Sequence, residues 1–248
     1  MLRSFAKLTK IEHTIFALPF LISSIALLYG SFPDKTLMLT LAFLSARLTG
    51  MALNRLIDLE IDKLNPRMRA EVHVKGELSK SQIEGFTSFT ISLFIFSCAF
   101  INLYTLFLAW VVLIALWVYP YAKRYTNYPH FVLGFIYFLV PIAVEVSLKE
   151  GVSIGGIVLG IAMASFVSGF DILYALLDRD FDIKFKIGSI PAKHGVRSAL
   201  IISSYLHIIT FVSLFSLVFI LDNLGIVYSI GVFIFCSKLI YKQLIFKV

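Results

Sequence analysis

Two stretches of this sequence carry acidic side chains at helical intervals. Asn54, Asp58 and Asp62 stand at i, i+4 and i+8, and Asp171, Tyr174, Asp178 and Asp182 stand at i, i+3, i+7 and i+11. On an α-helix each set shares one face. Gly50 and Arg47 lie one and two turns before Asn54, near the same face. The spacing Asn-x₃-Asp-x₃-Asp in the first stretch is matched by Tyr-x₃-Asp-x₃-Asp in the second. Carboxylates turned towards each other repel unless a cation joins them. Mg²⁺ takes hard oxygen ligands and is commonly held by a few carboxylates together with a phosphate group. The two stripes therefore suit Mg²⁺ and, through it, a diphosphate, whose departure such a clamp would stabilise. Arg67, Lys123, Arg124, Lys184, Lys186 and Lys193 are the bases near enough in sequence to neutralise the remaining phosphate charge. Tyr119 stands four residues before Lys123, beside the same charged mouth. The plainer reading of an acidic stripe is a solvated helix face, and two stripes at matched depth argue against it.

The elements that must position these groups are apolar. Of 248 residues, 59% are hydrophobic and 15% charged, with a mean hydropathy of +0.90, whereas a soluble domain is about 45–50% apolar and about 25% charged. The bilayer is the expected solvent. At about 20 apolar residues per crossing, about eight spans are expected, at 12–31, 36–57, 82–102, 104–121, 130–148, 152–177, 199–221 and 224–241. The third and fourth are nearly continuous, broken near Asn102. The expected fold is an all-α polytopic transmembrane bundle in one membrane domain, 1–248. The paired motifs, four spans apart, suggest a parallel repeat of halves 1–125 and 126–248. On this assignment every Lys and Arg except Lys35 and Lys149 falls on one side of the membrane. Positive residues stay in the cytoplasm, so both termini, the two long charged loops and both acidic stripes are expected there, in a cytoplasmic (inner) membrane. Positive-inside bias accounts for most of the net charge of +7 without a nucleic acid partner, and anionic membrane lipid is the expected contact.

Other polar groups read more quietly. Arg47, about halfway along the second span, needs either a polar cavity or an intramembrane partner such as Asp171 or Glu145. Glu145 reads as an interhelical hydrogen-bonding group. Cys98 and Cys236 read as packing residues, the scattered histidines as structural, and Trp110, Trp117 and the neighbouring tyrosines mostly as an interfacial belt.

Taken together, these residues resemble the UbiA superfamily of intramembrane aromatic prenyltransferases, which carries an N-D-x-x-D-x-x-x-D motif after its second helix and a D-x-x-x-D motif after its sixth. Asn54, Asp58 and Asp62 resemble the first; Asp171, Tyr174, Asp178 and Asp182 resemble the second. The opening Lys10-Ile11-Glu12-His13-Thr14-Ile15-Phe16-Ala17-Leu18-Pro19-Phe20, the segments Asn65-Pro66-Arg67 and Tyr119-Pro120-x-x-Lys123-Arg124, and Ser189-Ile190-Pro191-Ala192-Lys193-His194-Gly195 also resemble the family. The likeness runs from about residue 8 to 200 and is nearest the 4-hydroxybenzoate polyprenyltransferase-like subgroup. It implies transfer of a polyprenyl group from polyprenyl diphosphate to a hydroxyaromatic acid in quinone biosynthesis, with Mg²⁺ as cofactor. By matching position it implies Asn54, Asp58, Asp62, Asp178 and Asp182 as holders of Mg²⁺ and diphosphate. Arg67 and Lys123 would bind diphosphate oxygens, and Arg47 would meet the acid's carboxylate. Asp171 and Tyr174 would shape the site where the ring attacks. Some of that subgroup are thought to prenylate a dihydroxynaphthoate in menaquinone biosynthesis, which is a second acceptor of the same chemical kind.

The chain departs from the pattern in three places. Arg55 stands where an aspartate often follows the first Asn, Glu71-Val72-His73-Val74 fills a stretch where relatives usually carry an Arg and a Pro, and eight spans replace the common nine. The second departure implies a weaker basic clamp on phosphate; the third leaves open a catalytically silent relative. An ion-coupled transporter is the alternative of another class, disfavoured because the acids gather at one mouth beside Lys and Arg.

Overall fold

The computed structural model describes residues 2–222 and 224–245. All regular structure among them is helical: α1 Leu2–Leu8, α2 Ile11–Leu28, α3 Thr36–Ile57, α4 Leu59–Leu64, α5 Lys80–Ile101, α6 Leu103–Tyr125, α7 Pro129–Lys149, α8 Ile154–Ala175, α9 Arg179–Phe185, α10 Ile190–Ser216 and α11 Ile226–Ile245, with short 3₁₀ turns at Pro66–Met68, Leu176–Asp178 and Leu217–Phe219. A helix forms at each of the eight expected spans. Six are long and apolar enough to cross a membrane: α3, α5, α6, α7, the unit Ile154–Phe185 and the unit Ile190–Phe219. The other two carry shorter apolar stretches among the described residues, Thr14–Leu28 and Ile226–Lys238.

Local chemistry explains where these helices begin. Ser79 and Gln82 form a capping box at the start of α5. Asn102, in extended backbone, breaks the apolar run between α5 and α6 and caps α6 by accepting from Thr105 N–H at 2.7 Å. Its side-chain amide donates to the carbonyls of Val146 and Ser147, which ties this corner to α7. Ser153 caps α8. The buried Glu145 accepts from Ser153 N–H at 2.8 Å and from its hydroxyl at 2.6 Å, so it is the interhelical hydrogen-bonding group expected.

The packing falls into two clusters. α3 runs along α5, with α6 beside both; α8 runs between α7 and α10, with α11 beyond α10; α6 and α2 join the clusters through α7. Small hydroxyls stitch neighbours together: Thr49 to Thr90 at 3.0 Å, Thr105 to Ser147 at 3.0 Å and Ser165 to Thr210 at 2.9 Å. In lipid, where helices gain little from hiding apolar surface, such bonds contribute about 0.6–2 kcal/mol each. Outward, Phe89, Phe96, Phe100, Phe107, Trp110 and Ile114 are all exposed. Such exposed apolar side chains suit hydrocarbon and would not suit water.

The acidic stripes do not lie on unbroken helices, as their spacing led us to expect. α3 stops at Ile57, and Asp58 joins it to the short α4; α8 ends at Ala175, and Asp178 joins its 3₁₀ turn to α9. The two junction residues have nearly the same backbone, φ −93°, ψ 2° at Asp58 and φ −107°, ψ 2° at Asp178. Each break re-aims the last acid of its motif, Asp62 or Asp182, from a new short helix.

Candidate active site

At the end of the bundle where α3 and α8 break, a cavity of about 790 Å³ opens among α2, α3, α6, α7, α8 and the two short helices. Arg47, Asn54, Asp62, Arg67, Tyr119, Lys123, Asp171, Tyr174, Asp178 and Asp182 all line it. Residues more than 100 positions apart thus share one wall. Of the expected site residues, Lys193 is exposed and is not among those lining the cavity, and Asp58 is fully buried behind it.

The contact between the motifs is direct. The turn after α4 is shaped by Asn65, whose side-chain oxygen accepts from Arg67 N–H at 3.0 Å. That turn sends Arg67 across the cavity mouth. Its Nε donates to Asp178 Oδ1 at 2.8 Å, Nη2 pairs with Asp178 Oδ2, and Nη1 donates to the Tyr174 hydroxyl at 2.8 Å. Asn65 Nδ2 donates to Asp178 Oδ1 at 3.1 Å. Asp178 is therefore held by the loop that follows the other motif.

Each remaining acid also has its own holder. Lys123 Nζ stands 2.7 Å from Asp58 Oδ2 and Arg124 Nη2 stands 3.5 Å from Oδ1. Burial pushes the Asp58 carboxyl above its ordinary range, against the pull of Lys123. Neither buried oxygen is satisfied by a well-directed hydrogen bond among the described residues. Asp62 Oδ2 lies 2.8 Å from His73 Nε2 and 3.6 Å from Arg55 Nη1. Asp182 accepts from Ser189 Oγ at 2.8 Å, and Asp171 pairs with His130 Nδ1 at 2.7 Å. Among the described residues no three acidic, His or Cys side chains stand close enough together to share one ion. The donor set is nevertheless the hard-oxygen kind that suits Mg²⁺.

Three of these holders were invisible in the sequence. His130 and His73 lie 41 and 11 residues from the acids they touch, with no spacing rule to link them. Arg55 read as a departure from pattern. In the fold Arg55 and His73, two of the departures, meet on Asp62, while Glu71 pairs with Lys10 at 3.2 Å.

Arg47 pairs with neither Asp171 nor Glu145, since His130 holds the first and Ser153 the second. Its Nε is buried and has no hydrogen-bond partner among the described residues. With Met51, Tyr119, Leu133 and Tyr137 it also lines a second cavity of about 130 Å³, whose other walls are almost wholly apolar, including Leu39, Phe43, Phe94 and Val112. Arg47 thus stands where the polar cavity gives way to an apolar one.

The corner before α10 organises much of this wall. Gly188 N–H donates to the Lys123 carbonyl at 2.7 Å, Ser189 holds Asp182, and Ile190 N–H donates to His130 Nε2 at 3.3 Å. A β-carbon at Gly188 would sit 2.0 Å from the Thr126 carbonyl oxygen. Gly188→Ala should therefore force the corner off α6 and lower stability by about 1–3 kcal/mol, read as a lower unfolding temperature in detergent.

The family model described as the UbiA prenyltransferase family matches residues 16–247. The chain belongs to the UbiA prenyltransferase family. Among the family's curated members, the 4-hydroxybenzoate octaprenyltransferase of Pseudoalteromonas translucida is 27% identical over 209 residues, 84% of this chain and 70% of the relative. That of Francisella tularensis subsp. mediasiatica is 28% identical over 180 residues, and the match spans 62% of the relative's length. The solved apo structure of a UbiA homolog from Aeropyrum pernix K1 superposes with a TM-score of 0.86 at 31% identity, covering 94% of this chain and 88% of that one. A UbiA homolog from Archaeoglobus fulgidus, described as bound to DMAPP and Mg²⁺, shares the fold at a TM-score of 0.71 and 18% identity, covering 98% and 85%. The UbiA fold thus accounts for the helical bundle.

Proposed function

We propose that this UbiA member transfers a polyprenyl group from polyprenyl diphosphate to a hydroxyaromatic carboxylic acid of the 4-hydroxybenzoate type, in the inner membrane, with the polar cavity facing the cytoplasm. One observation carries this reading: Asn54 and Asp62 of the first motif, Asp171, Tyr174, Asp178 and Asp182 of the second, and Arg67, Lys123 and Arg47 line a single cavity that adjoins an apolar one. A cavity of about 790 Å³ is within the roughly 300–1,000 Å³ of small-molecule sites. The names of the curated relatives and the description of the Archaeoglobus neighbour point the same way.

Asn54, Asp58, Asp62, Asp178 and Asp182 would hold Mg²⁺, which when bound draws negative charge on the leaving diphosphate. Arg67 and Lys123, now paired with Asp178 and Asp58, are already in place to exchange those carboxylates for diphosphate oxygens. The allylic C–O bond breaks with its electron pair on the diphosphate. The apolar walls and the Tyr and Phe faces then shelter the allylic cation from water. Arg47 pairs with the acceptor's carboxylate, the electron-rich ring attacks through carbon, and a carboxylate accepts the ring proton. The acids gather at one end of the bundle, among bases, and not at the middle of the spans, which favours a phosphate site over an ion-coupled carrier.

The test is an assay of purified protein in lipid with a labelled polyprenyl diphosphate, Mg²⁺, and either 4-hydroxybenzoate or 1,4-dihydroxy-6-naphthoate. An EDTA-sensitive, lipid-soluble prenylated 4-hydroxybenzoate is the expected product. Product from the naphthoate alone would move the acceptor to menaquinone biosynthesis, and no product from either would overturn the reading.

A further inference from the structure

Asp171 lines the same cavity as Asp62, Asp178 and Asp182 and is paired with a buried histidine, His130. His130, in the first turn of α7, is 2% exposed. Its backbone carbonyl accepts from Ser168 Oγ at 3.1 Å. Its two ring nitrogens face opposite demands. Nε2 meets the N–H of Ile190 at 3.3 Å. A backbone N–H can only donate, so Nε2 carries the lone pair and the ring proton sits on Nδ1. A doubly protonated ring would set two donors against each other. Nδ1 lies 2.7 Å from Asp171 Oδ2, so a neutral imidazole donates its one N–H to that oxygen.

This leaves Asp171 with one oxygen tied and the other, Oδ1, outside any hydrogen bond among the described residues. Asp171 lines the polar cavity together with Arg47, Tyr119, Tyr137 and Tyr174. Arg47, a cation in the same cavity whose Nε has no hydrogen-bond partner among the described residues, is the group most able to capture a loose carboxylate there. The His130 bond holds Asp171 to α7 and so keeps both groups free.

We propose that His130 is a positioning residue that aims Asp171 Oδ1 at the acceptor ring, where it takes the proton the ring loses. The inference rests on the prenyl-transfer reading above. When the new C–C bond forms, the attacked ring carbon carries both the prenyl group and a hydrogen. The C–H bond breaks, its electron pair returns to the ring, and the proton goes to Oδ1, which afterwards releases it to diphosphate or water. His130 keeps its own proton throughout.

The experiment compares wild type, His130→Leu and His130→Asn with 4-hydroxybenzoate either unlabelled or deuterated at the ring positions flanking the hydroxyl. Leu removes the donor; Asn can place an N–H where Nδ1 stood. His130→Leu is expected to lower kcat by about 10²-fold and to show a primary isotope effect that wild type lacks, because proton removal becomes slow. His130→Asn is expected to recover most of kcat and to lose the isotope effect. A His130→Leu enzyme of undiminished kcat, a lowered kcat without an isotope effect, or an Asn variant no better than Leu would each overturn the proposal. The wild-type protein supplies a check that needs no variant to fold. His130-Phe131 is the one His-Phe pair in the sequence, so ¹³C-histidine with ¹⁵N-phenylalanine assigns its ring by NMR. A neutral ring protonated at Nδ1 is expected; an Nε2-protonated ring overturns the proposal. Failure of wild type itself to prenylate would overturn the functional reading instead, and the tautomer would still be read.

Discussion

Asp178→Ala is expected to lower kcat of Mg²⁺-dependent prenyl transfer by about 10²–10³-fold, the scale seen when one preorganised charge-stabilising group is removed. Asp178 is where the two motifs meet: Arg67 and Asn65, from the turn after the first motif, both bond to it. Without it the cavity loses a cation-holding carboxylate, and the Arg67 guanidinium is left with its bond to Tyr174. The fold should tolerate the change. The Arg67 side chain is 36% exposed, and an ion pair so open to solvent stabilises by about 0–1 kcal/mol. A nearly unchanged unfolding temperature beside a collapsed rate would therefore assign the loss to chemistry. Asp178→Asn, which keeps the shape and removes the charge, should require more Mg²⁺ for half-maximal rate. Undiminished turnover in both variants, measured as initial rate against Mg²⁺ concentration, would remove Asp178 from the site.

The second large effect concerns Arg47. Arg47→Leu should raise KM for the acceptor acid by about 10–100-fold, matching loss of a charge-assisted hydrogen bond of about 1.5–3 kcal/mol. KM for the prenyl diphosphate should stay within a factor of about 2, since Arg67 and Lys123 face the phosphate end. Stability should move the other way. The Arg47 Nε is buried without a hydrogen-bond partner among the described residues, and a poorly paired charge among apolar walls costs free energy. The leucine variant should unfold at an equal or higher temperature than wild type. An unchanged acceptor KM, or a clear fall in unfolding temperature, would show that Arg47 is a structural strut.

Much of the fold was legible from hydropathy, because a lipid-exposed helix must announce itself as a long apolar run. The break at Asn102 was legible too, because an amide side chain there caps one helix while ending another. The breaks at Asp58 and Asp178 were not. The i, i+4 spacing of the first motif is equally compatible with a continuous helix, and only the packed structure shows the turn at the middle acid.

By itself the sequence determined the solvent, the helical class and the two acidic motifs, because these depend on residue type and on separations within one element. Which group neutralises which acid was decided by tertiary structure alone. Asp178 meets Arg67 and Asn65, Asp62 meets Arg55 and His73, Asp58 meets Lys123, and Asp171 meets His130. Charge attraction falls off over a few ångströms while most of these partners lie many residues apart, so no pattern along the chain encodes the pairing. It arises where α7, α8 and α10 pack around one corner, and where a turn after α4 reaches across the cavity to the opposite motif.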